Sequence, residues 1–306
     1  MRSPSSSSDP PHLLPRYRAI VPDWDRFAGA CSRALPTIVR TNTLRIDPLS
    51  LRKRLERQGV SVSALPWEPT LFEVDRPVGA TVEHWLGHLY VQEAVQSLPV
   101  LALDPRPGEA VLDLCAAPGG KTTHIAARMS NIGPLVANEP SGRRQPALLS
   151  NVNRLGLLNV TNTGYRGEAF PLAASFDRIL VDAPCSAEGT LRKERSLRGG
   201  ASAGSIARLA RLQKRLIVRA YDLLAPGGVL VYSTCTFAPE ENEAVAAHLL
   251  AARDARLTPA SLPVDAAPGL SSWKGVPFPA AVRGCARVYP HQLDSGGGFI
   301  ARFERP

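Results

Sequence analysis

Short apolar runs alternate with amphipathic segments from about residue 107 to residue 306. The apolar runs predict strands at Val111–Leu114, Leu135–Asn138, Val160–Tyr165, Phe176–Val181 and Val229–Tyr232. The segments between them predict helices at Lys121–Met129, Arg143–Leu155 and Ser205–Leu224, and another that opens at Pro239-Glu240-Glu241. Such alternation is typical of a parallel sheet covered by helices on both faces. Residues 107–306 are therefore predicted to form a doubly wound α/β domain, closed by an antiparallel hairpin of Val288-Tyr289 and Phe299–Phe303.

The first third of the chain has a different pattern. Residues 1–22 are rich in serine and proline and predict a disordered lead-in. Residues 23–106 predict a strand at 37–46, a helix at Leu49–Gln58 that Gly59 stops, and a strand at Leu71–Val74. This mixture predicts a small N-terminal α+β unit ahead of the larger domain.

The charge of the chain favours a polyanionic partner. The 306 residues carry a formal net charge of +9, and ten Lys/Arg stand against four Asp/Glu between residues 16 and 57. Basic residues interleaved with Tyr17, Trp24 and Phe27 are typical of a nucleic-acid surface, although a charge run is also an ordinary solvated face. No apolar stretch approaches the roughly 18 residues of a membrane span, and residues 1–4 begin no signal-peptide core. We expect a cytoplasmic protein without a membrane partner.

Polar motifs follow three of the predicted strands. A glycine-rich loop follows the first strand, Asp182 and Cys185 follow the fourth, and Cys235 follows the fifth. Because ligands bind at the carboxyl ends of parallel strands, the three motifs should open onto one crevice. A turn aspartate and an inert buried thiol are common, and the second interpretation suits Cys31 and Cys285. Two cysteines at adjacent strand ends, with an aspartate three residues before one of them, predict an active site instead. No Cys/His cluster predicts a metal.

The glycine-rich loop resembles several nucleotide-binding loops but differs from two of them. It lacks the G-x-G-x-x-G of dinucleotide sites, and Cys115 stands where a phosphate-binding loop requires glycine. Pro118 also removes a backbone donor that a phosphate cradle would use. A tight turn remains that brings backbone close to a ligand, which suits S-adenosylmethionine. The loop residues predicted to hold this cofactor are Cys115, Ala116, Ala117, Pro118, Gly119, Gly120 and Lys121.

Glu139 ends the second predicted strand, 26 residues beyond Asp113. An acid near this spacing commonly meets the ribose hydroxyls of a nucleotide cofactor. A glutamate at a strand end is otherwise a solvated or capping residue. In this register we predict a ribose contact for Glu139.

Together the motifs resemble the signature blocks of the Nol/Nop/Sun family of RNA cytosine-5 methyltransferases. The residues that carry the resemblance are Asp113–Thr122, Asp182–Ser186 and Ser233–Thr236, with further similar blocks at Tyr90–Ala94, Pro239–Glu243 and Val288–His291. The likeness runs from about residue 37 to residue 303. It implies a Rossmann-like methyltransferase sheet, S-adenosyl-L-methionine as cofactor and RNA as partner. Ribosomal RNA is the expected substrate and transfer RNA the alternative.

The resemblance also implies roles for four side chains. Cys235 is the nucleophile that adds to carbon 6 of cytosine, and Cys185 assists proton loss from carbon 5 and release of the product. Asp182 hydrogen-bonds the cytosine edge and also contacts the cofactor. A nearby cation favours the thiolate form of a cysteine, and Lys121 is the candidate.

The chain departs from the family pattern at Arg166, and it also carries a basic segment after Cys185. Arg166-Gly167 stands where the family commonly has an acid followed by glycine near the cofactor's adenine, and arginine accepts no hydrogen bond from an amine. Nine Lys/Arg stand against Glu194 alone between Arg192 and Arg219. On the predicted helix, Arg208, Arg211, Arg215 and Arg219 recur at spacings of three and four, opposite a leucine stripe. This segment is interpreted as a phosphate-contacting surface, with a solvated face as the alternative.

Other functional classes remain open at this point. A catalytically weak RNA-binding assembly factor would keep the basic surfaces, but it has no need of two thiols at adjacent strand ends. A P-loop nucleotidase is disfavoured by Cys115. We expect the chain to be a monomer.

Overall fold

The structure is a computed structural model that describes residues 13–306. Its α-helices are α1 Trp24–Ser32, α2 Pro48–Arg57, α3 Val82–Trp85, α4 Leu98–Leu103, α5 Gly120–Arg128, α6 Gln145–Leu155, α7 Ala203–Asp222, α8 Glu243–Ala252 and α9 Pro290–Leu293. Its strands are β1 Thr37–Thr41, β2 Val62–Ala64, β3 Leu71–Val74, β4 Leu89–Val91, β5 Val111–Asp113, β6 Leu135–Asn138, β7 Val160–Thr163, β8 Phe176–Asp182, β9 Leu224–Thr234, β10 Arg256–Thr258, β11 Ala267–Pro268, β12 Ser272–Trp273, β13 Val276–Pro277, β14 Ala286–Val288 and β15 Gly298–Glu304.

The central strands are apolar on both faces because each separates two cores. In β5, Val111 packs into one core and Leu112 into the other. In β8, Leu180 faces the first core whereas its neighbours Ile179 and Val181 face the second. Helices α4, α5 and α6 bury their apolar faces in the first core, and α7 and α8 do so in the second. Successive side chains of a strand point to opposite faces, so continuous apolar runs are what this three-layer arrangement requires.

The strand order of the large sheet creates a crevice at its centre. The sheet runs β11-β14-β15-β9-β8-β5-β6-β7, with β10 beside β15. Strands β9, β8, β5, β6 and β7 are mutually parallel, while β15 is antiparallel to β9 and β14. The doubly wound sheet and its closing antiparallel pair are thus confirmed. The chain order reverses between β5 and β8, which is where open α/β sheets bind ligands.

The prediction of a helix opening at Pro239 is wrong by four residues, because α8 begins at Glu243. The residues before it form a turn in which Asn242 has φ −109° and ψ −94°. The Thr234 hydroxyl donates to Asn242 Oδ1 at 2.6 Å, and the Tyr232 hydroxyl donates to the Glu241 carbonyl at 2.6 Å. These tertiary hydrogen bonds hold the segment out of the helix that its composition favours.

Part of the predicted disordered lead-in is folded. Residues 1–12 lie outside the described residues, but Leu14, Tyr17 and Val21 are buried. They share a cluster with Phe27 of α1 and with Phe237 and Tyr289 of the larger domain, among others. Residues 13–32 therefore pack with the larger domain, although the sequence assigned them to a lead-in and to the N-terminal unit.

The small unit is an antiparallel sheet in the order β2-β3-β1-β4, with α2 packed on it. Its core contains Val39 of β1, Leu51 and Leu55 of α2, Phe72 of β3 and Leu89 of β4. The first predicted strand is shorter than expected and ends at Thr41 rather than Ile46. Across residues 13–306, none of the helices combines the length and apolar character that crossing a membrane requires.

Candidate active site

The carboxyl ends of β5, β8 and β9 lie side by side. Strand β8 is hydrogen-bonded to both of the others, with Asp113 opposite Leu180 and Asp182 opposite Ser233. The three motifs that the sequence singled out follow these strand ends, so the structure brings them together at one edge of the sheet. The alignment depends only on strand register and does not need any special loop conformation.

Two thiols lie in contact just beyond this edge. Cys185 Sγ is 3.2 Å from Cys235 Sγ, and the Cys235 amide donates to Cys185 Sγ at 3.3 Å. The hydrogen bond to Cys235 and burial raise the pKa of Cys185 well above its usual value. Cys185 therefore keeps its proton at neutral pH and can donate it in a hydrogen bond to the sulfur of Cys235.

An ion pair stands beside the thiols. Lys121 Nζ lies 2.7 Å from Asp182 Oδ2, and the Ser233 hydroxyl donates to Asp182 Oδ1 at 2.8 Å. Lys121 also donates to the Gln96 side chain. Burial lowers the pKa of Lys121, but the charges of Asp182, Cys235 and Asp113 outweigh it and the net shift is upward. Lys121 therefore keeps its positive charge at neutral pH, and this charge interacts with Asp182 and Cys235.

The glycine-rich loop borders a cavity of about 440 Å³. Its lining includes six of the seven predicted loop residues and Asp182, but neither Gly119 nor Glu139, and neither thiol of the Cys185–Cys235 pair. Gly119 instead is the N-cap residue before α5, at φ +105°, which L-residues rarely adopt, and a Cβ there would lie 3.1 Å from Leu148. The volume falls in the range of small-molecule sites. Asp182 and Lys121 both line this cavity.

Asp113 is fully buried at the floor of this site. The Thr122 hydroxyl donates to Asp113 Oδ2 at 2.7 Å, whereas Oδ1 has no hydrogen-bond partner. Burial, with some repulsion from Asp182, raises the pKa of Asp113 to about 7. An unpaired buried carboxylate oxygen beside a cavity is suited to a cationic ligand group such as an amine.

Replacing Asp113 by asparagine should change how stability depends on pH in the cofactor-free protein. Between about pH 4 and pH 7 the unfolded Asp113 ionises while the folded carboxyl keeps its proton, so rising pH favours unfolding. The wild type should lose roughly 4 kcal/mol of unfolding free energy relative to Asp113→Asn over this interval. Chemical denaturation of both proteins across the interval checks this, and a constant difference between them would contradict the assignment.

Glu139 is buried and already engaged. Its Oε2 lies 3.1 Å from Arg144 Nη1, and its Oε1 accepts the Ser141 amide at 2.9 Å. Arg144 also donates to the Ala117 carbonyl in the glycine-rich loop. Arg144 thus ties the loop to the end of β6, and no feature of the sequence pattern had identified it. The ribose contact of Glu139 stays a prediction.

The Arg166 side chain is exposed and pairs with a neighbouring acid, not with the predicted cofactor residues. Its guanidinium pairs with Glu168 Oε1 at 2.6 Å and its side chain is 75% exposed. The Tyr165 amide before it donates to the buried Asn138 side chain at 2.9 Å. Leaving Arg166 out of the predicted cofactor residues is consistent with this geometry.

The comparisons with known proteins identify the family of this chain. Residues 100–304 match the family model described as 16S rRNA methyltransferase RsmB/F. The chain belongs to the RsmB/F family. It is 39% identical to the ribosomal RNA small subunit methyltransferase F of Aeromonas hydrophila, over 97% of this chain and 64% of that protein. It is 36% identical to the tRNA (cytosine(49)-C(5))-methyltransferase of Pyrococcus abyssi, over 96% of both chains.

The fold agreement extends to a solved structure. A methyltransferase homologue from Pyrococcus horikoshii superposes with a TM-score of 0.83 at 34% identity, covering 96% of this chain and 92% of that one. The predicted family resemblance and the Rossmann-like methyltransferase fold are thereby confirmed. This RsmB/F chain spans about two thirds of the length of the Aeromonas relative.

Residues of the small N-terminal unit complete the site in this RsmB/F chain. Arg40 of β1 is buried and donates to the Gly120 carbonyl at 2.8 Å and to Thr123 Oγ1 at 2.7 Å. Its guanidinium also lies 5.4 Å from the Tyr90 ring centre. Burial lowers the pKa of Arg40 to about 9, so it stays charged at neutral pH. Gln92 and Glu93 line the cavity from the same side. No sequence pattern pointed to Arg40 beyond its place in a predicted strand.

The structure corrects the basic segment after Cys185. The Arg192 side chain is fully buried, pairs with Asp294 at 2.8 Å and donates to the Ala34 carbonyl at 2.7 Å. Arg198 is half-buried and donates to the Cys31 carbonyl. Arg198 ties the loop to α1, and Arg192 ties it to the residues that follow α1. The buried guanidinium of Arg192 is not available to phosphate. Arg208, Arg211 and Arg215 are exposed on α7, as the helical spacing predicts, while Arg219 is half-buried.

Cys31 and Cys285 are structural thiols, as predicted. Each is buried, at 2% and 3% exposure, inside an apolar cluster. Burial raises the pKa of Cys31 to about 12 and also raises that of Cys285. Neither thiol is reactive at neutral pH.

Proposed function

We propose that this chain is an S-adenosylmethionine-dependent RNA (cytosine-5) methyltransferase that works through a covalent bond between Cys235 and carbon 6 of cytosine. The observation that carries the proposal is the pair of sulfurs 3.2 Å apart, beside the Lys121–Asp182 ion pair, at the ends of adjacent strands. Membership of the RsmB/F family supports the same activity. A non-catalytic RNA-binding factor has no need of this arrangement.

The chemistry requires a nucleophile because carbon 5 of cytosine is too weakly nucleophilic to take a methyl group unaided. When the Cys235 thiolate adds to carbon 6, a carbon–sulfur bond forms and the ring becomes an enamine with a nucleophilic carbon 5. The cofactor supplies an electrophilic methyl group on a sulfonium centre. Loss of the proton from carbon 5 and cleavage of the Cys235–carbon bond then restore the aromatic ring and the thiolate.

Asp182 and Lys121 support the addition step. Asp182 accepts hydrogen bonds from Lys121 and Ser233, and its side chain is still 34% exposed, so lone pairs remain for the cytosine edge. A carboxylate there accepts hydrogen bonds from the exocyclic amine and from the ring nitrogen that gains a proton in the adduct. Lys121 supplies the positive charge that favours the Cys235 thiolate.

Cys185 acts after methyl transfer. Its raised pKa makes it a weak nucleophile at neutral pH, which leaves Cys235 as the attacking sulfur. Its contact with Cys235 Sγ places it beside the carbon that Cys235 attacks. Once Cys235 is bonded to carbon 6, the hydrogen bond that contributes most to this raised pKa is no longer available. Cys185 can then release its own proton to solvent and, as a thiolate, accept the proton from carbon 5 before the Cys235–carbon bond breaks.

The residues around the cavity fit S-adenosylmethionine. Residues Cys115–Pro118 and Gly120 border the cavity, and the unpaired Asp113 oxygen suits the cationic end of the cofactor. Asp182 and Lys121 line the cavity; Asp182 also accepts a hydrogen bond from Ser233, two residues before Cys235. The reactive end of the cofactor would therefore face the base that Cys235 holds. We propose that the Glu139 carboxylate, which pairs with Arg144 in this structure, also accepts hydrogen bonds from the ribose hydroxyls of the cofactor.

Ribosomal RNA is the proposed substrate class. The Aeromonas relative is named as a small-subunit ribosomal RNA methyltransferase, which favours this class. Transfer RNA is the alternative, because the Pyrococcus relative that matches along its whole length is named as a tRNA methyltransferase. Incubating the purified protein with unmodified small-subunit rRNA and with unmodified tRNA, followed by bisulfite mapping, tests both. Absence of 5-methylcytosine in both RNAs would contradict the proposed activity, and its presence in one of them identifies the substrate class.

Two basic surfaces would hold the RNA. One is the stripe Arg208, Arg211 and Arg215 on α7, the helix that follows the Cys185 loop. The other is a groove of about 770 Å³ in the N-terminal unit, whose basic lining residues are Arg45, Lys53, Arg54, Arg57 and His88. Phosphate contacts of this kind supply sequence-independent affinity that falls as salt rises.

Replacing Arg211 by glutamate should weaken RNA binding about tenfold at low salt and lower the slope of affinity against salt by about one to two charges. The matched control is Arg106→Glu, a charge change of the same size at a 69% exposed arginine before the amino end of β5. Equilibrium binding of RNA at several salt concentrations measures both quantities. Equal effects of the two substitutions on RNA affinity would show that the α7 stripe has no specific part in RNA binding.

A further inference from the structure

A further buried carboxylate lies in the loop that follows Cys185, and it has no part in the mechanism above. Glu188 is fully buried, three residues after Cys185. Its Oε1 accepts the Ala201 amide at 2.9 Å, and its Oε2 accepts the Thr236 hydroxyl at 2.9 Å. No arginine or lysine pairs with it among the described residues. A buried carboxylate in this position depends entirely on its hydrogen-bond donors.

The carboxylate is the end of a hydrogen-bond chain that joins the two thiol loops. Ser186 follows Cys185, Thr236 follows Cys235, and their hydroxyls lie 2.6 Å apart. Because the Glu188 carboxylate only accepts, Thr236 must donate to it and must therefore accept from Ser186. The direction of every proton in the chain is thus fixed. The Gly189 amide adds a backbone link by donating to the Cys235 carbonyl at 2.8 Å.

The third donor comes from the amino-terminal segment. The Tyr17 hydroxyl donates to Glu188 Oε2 at 2.5 Å, and the Tyr17 side chain is fully buried. Its ring packs edge-on against Phe237, two residues after Cys235, at 6.1 Å between ring centres. Tyr17 lies outside the residues 100–304 that the family model covers. It therefore links a part of the chain that the family model does not describe to the core of the site.

We propose that Tyr17 and Glu188 are positioning residues that hold Cys185 and Cys235 in register for the reaction. This inference rests on the proposed function and assigns a role to residues that touch neither substrate nor cofactor. Without the Tyr17 hydroxyl, Glu188 Oε2 keeps Thr236 as its single donor, and the carboxylate and Thr236 are free to reorient. A displacement of the Cys235 sulfur by a fraction of an ångström then misaligns it with the carbon it attacks.

Tyr17→Phe should lower kcat for methyl transfer roughly tenfold to a hundredfold, because misplacing a reacting group by about 1 Å has effects of this size. The KM for the cofactor should stay unchanged, since Tyr17 does not line the cavity. The matched control is Tyr289→Phe. Tyr289 is also fully buried in the same aromatic cluster, and its hydroxyl donates to the Ile20 carbonyl of the same segment at 3.0 Å, not to Glu188.

A second readout separates positioning from stability. In a Cys185→Ala background, Tyr17→Phe should slow formation of the covalent protein–RNA complex by a similar factor without lowering its final yield. Glu188→Gln, which keeps the side-chain volume but alters the direction of the hydrogen bonds, should act in the same direction. If Tyr17→Phe does not fold, the Glu188→Gln variant alone tests the positioning role. In the Tyr17→Phe/Glu188→Gln double variant the losses should not add, as expected for residues that act as a unit.

The outcomes distinguish this inference from the proposed function. If Tyr289→Phe lowers kcat as much as Tyr17→Phe, or if neither Tyr17→Phe nor Glu188→Gln changes kcat, the positioning role is overturned while the methyltransferase activity stands. If Cys235→Ala retains full activity, the proposed mechanism fails whatever Tyr17 does. A tenfold or larger loss of kcat confined to Tyr17→Phe and Glu188→Gln supports the role.

Discussion

Cys235→Ala is expected to abolish methyl transfer, with a loss of at least about 10⁴-fold in the single-turnover rate, the scale seen when an enzyme loses its nucleophile. Alanine cannot add to carbon 6, so carbon 5 of cytosine stays unactivated. Cofactor affinity should be unchanged, because Cys235 does not line the cavity beside the glycine-rich loop. Transfer of a labelled methyl group to RNA measures the first quantity and calorimetric binding the second.

The matched control is Cys285→Ala. Cys285 is a buried thiol in the apolar cluster on the α7 and α8 side of the sheet, so its loss affects stability and not the reaction. The rate should stay within about twofold of wild type, since ordinary substitutions away from the reacting groups change stability far more than chemistry. A Cys235→Ala protein that methylates RNA at the wild-type rate would end the mechanism proposed above.

Cys185→Ala is expected to leave the protein covalently bonded to its RNA after methyl transfer. The first steps need only Cys235, the ion pair of Lys121 and Asp182, and the cofactor, so the methylated adduct should form. Release needs the second thiol, which lies 3.2 Å from Cys235 Sγ. Turnover should therefore fall by about 10² to 10⁴, the usual contribution of a positioned acid or base, while a protein–RNA complex that survives denaturation accumulates.

The control for trapping is the Cys185→Ala/Cys235→Ala double variant, which should form no complex. Gel electrophoresis under denaturing conditions, with labelled RNA, measures the yield in each protein. Normal turnover by Cys185→Ala, or a complex that persists in the double variant, would contradict the assigned roles of the two thiols.

Much of the larger domain could be predicted because it rests on local patterns. Strands β5, β6, β8 and β9 carry short apolar runs whose side chains pack into both cores, and such runs predict buried strands. Strand β7 is more polar and partly exposed at the edge of the sheet. Gly156 ends α6 in a left-handed conformation at φ +75°, as a glycine at that position predicts. The catalytic group followed from the same logic, because polar residues at the carboxyl ends of neighbouring parallel strands must lie close together.

The features that the sequence did not reveal depend on partners far along the chain. Tyr17 was assigned to a disordered lead-in because serine and proline surround that segment, yet its hydroxyl binds Glu188 across 171 residues. Arg192 was counted with a phosphate-contacting surface, but its fully buried guanidinium pairs with Asp294. Composition and spacing carry no information about which buried acceptor a particular side chain reaches.

The start of α8 shows the same limit on a smaller scale. Proline followed by two acids is a good first turn for a helix. In the structure, however, Glu241 is buried and its Oε2 accepts hydrogen bonds from the Ser186 amide at 3.1 Å and from Gln213 at 2.7 Å. These contacts hold the Cys185 loop, and they outweigh the local preference that would have begun the helix earlier.

The most direct test of the central claim is to locate the bond between protein and RNA. RNA with 5-fluorocytidine at the target position blocks the final release, because fluorine cannot leave carbon 5 as a proton does. Trypsin separates the two thiols cleanly: the peptide of residues 179–192 contains Cys185, and the peptide of residues 220–253 contains Cys235. Mass spectrometry of the digested wild-type complex should find the methylated base on Cys235. A base attached to Cys185, or a protein that methylates the target yet forms no adduct, would contradict the account.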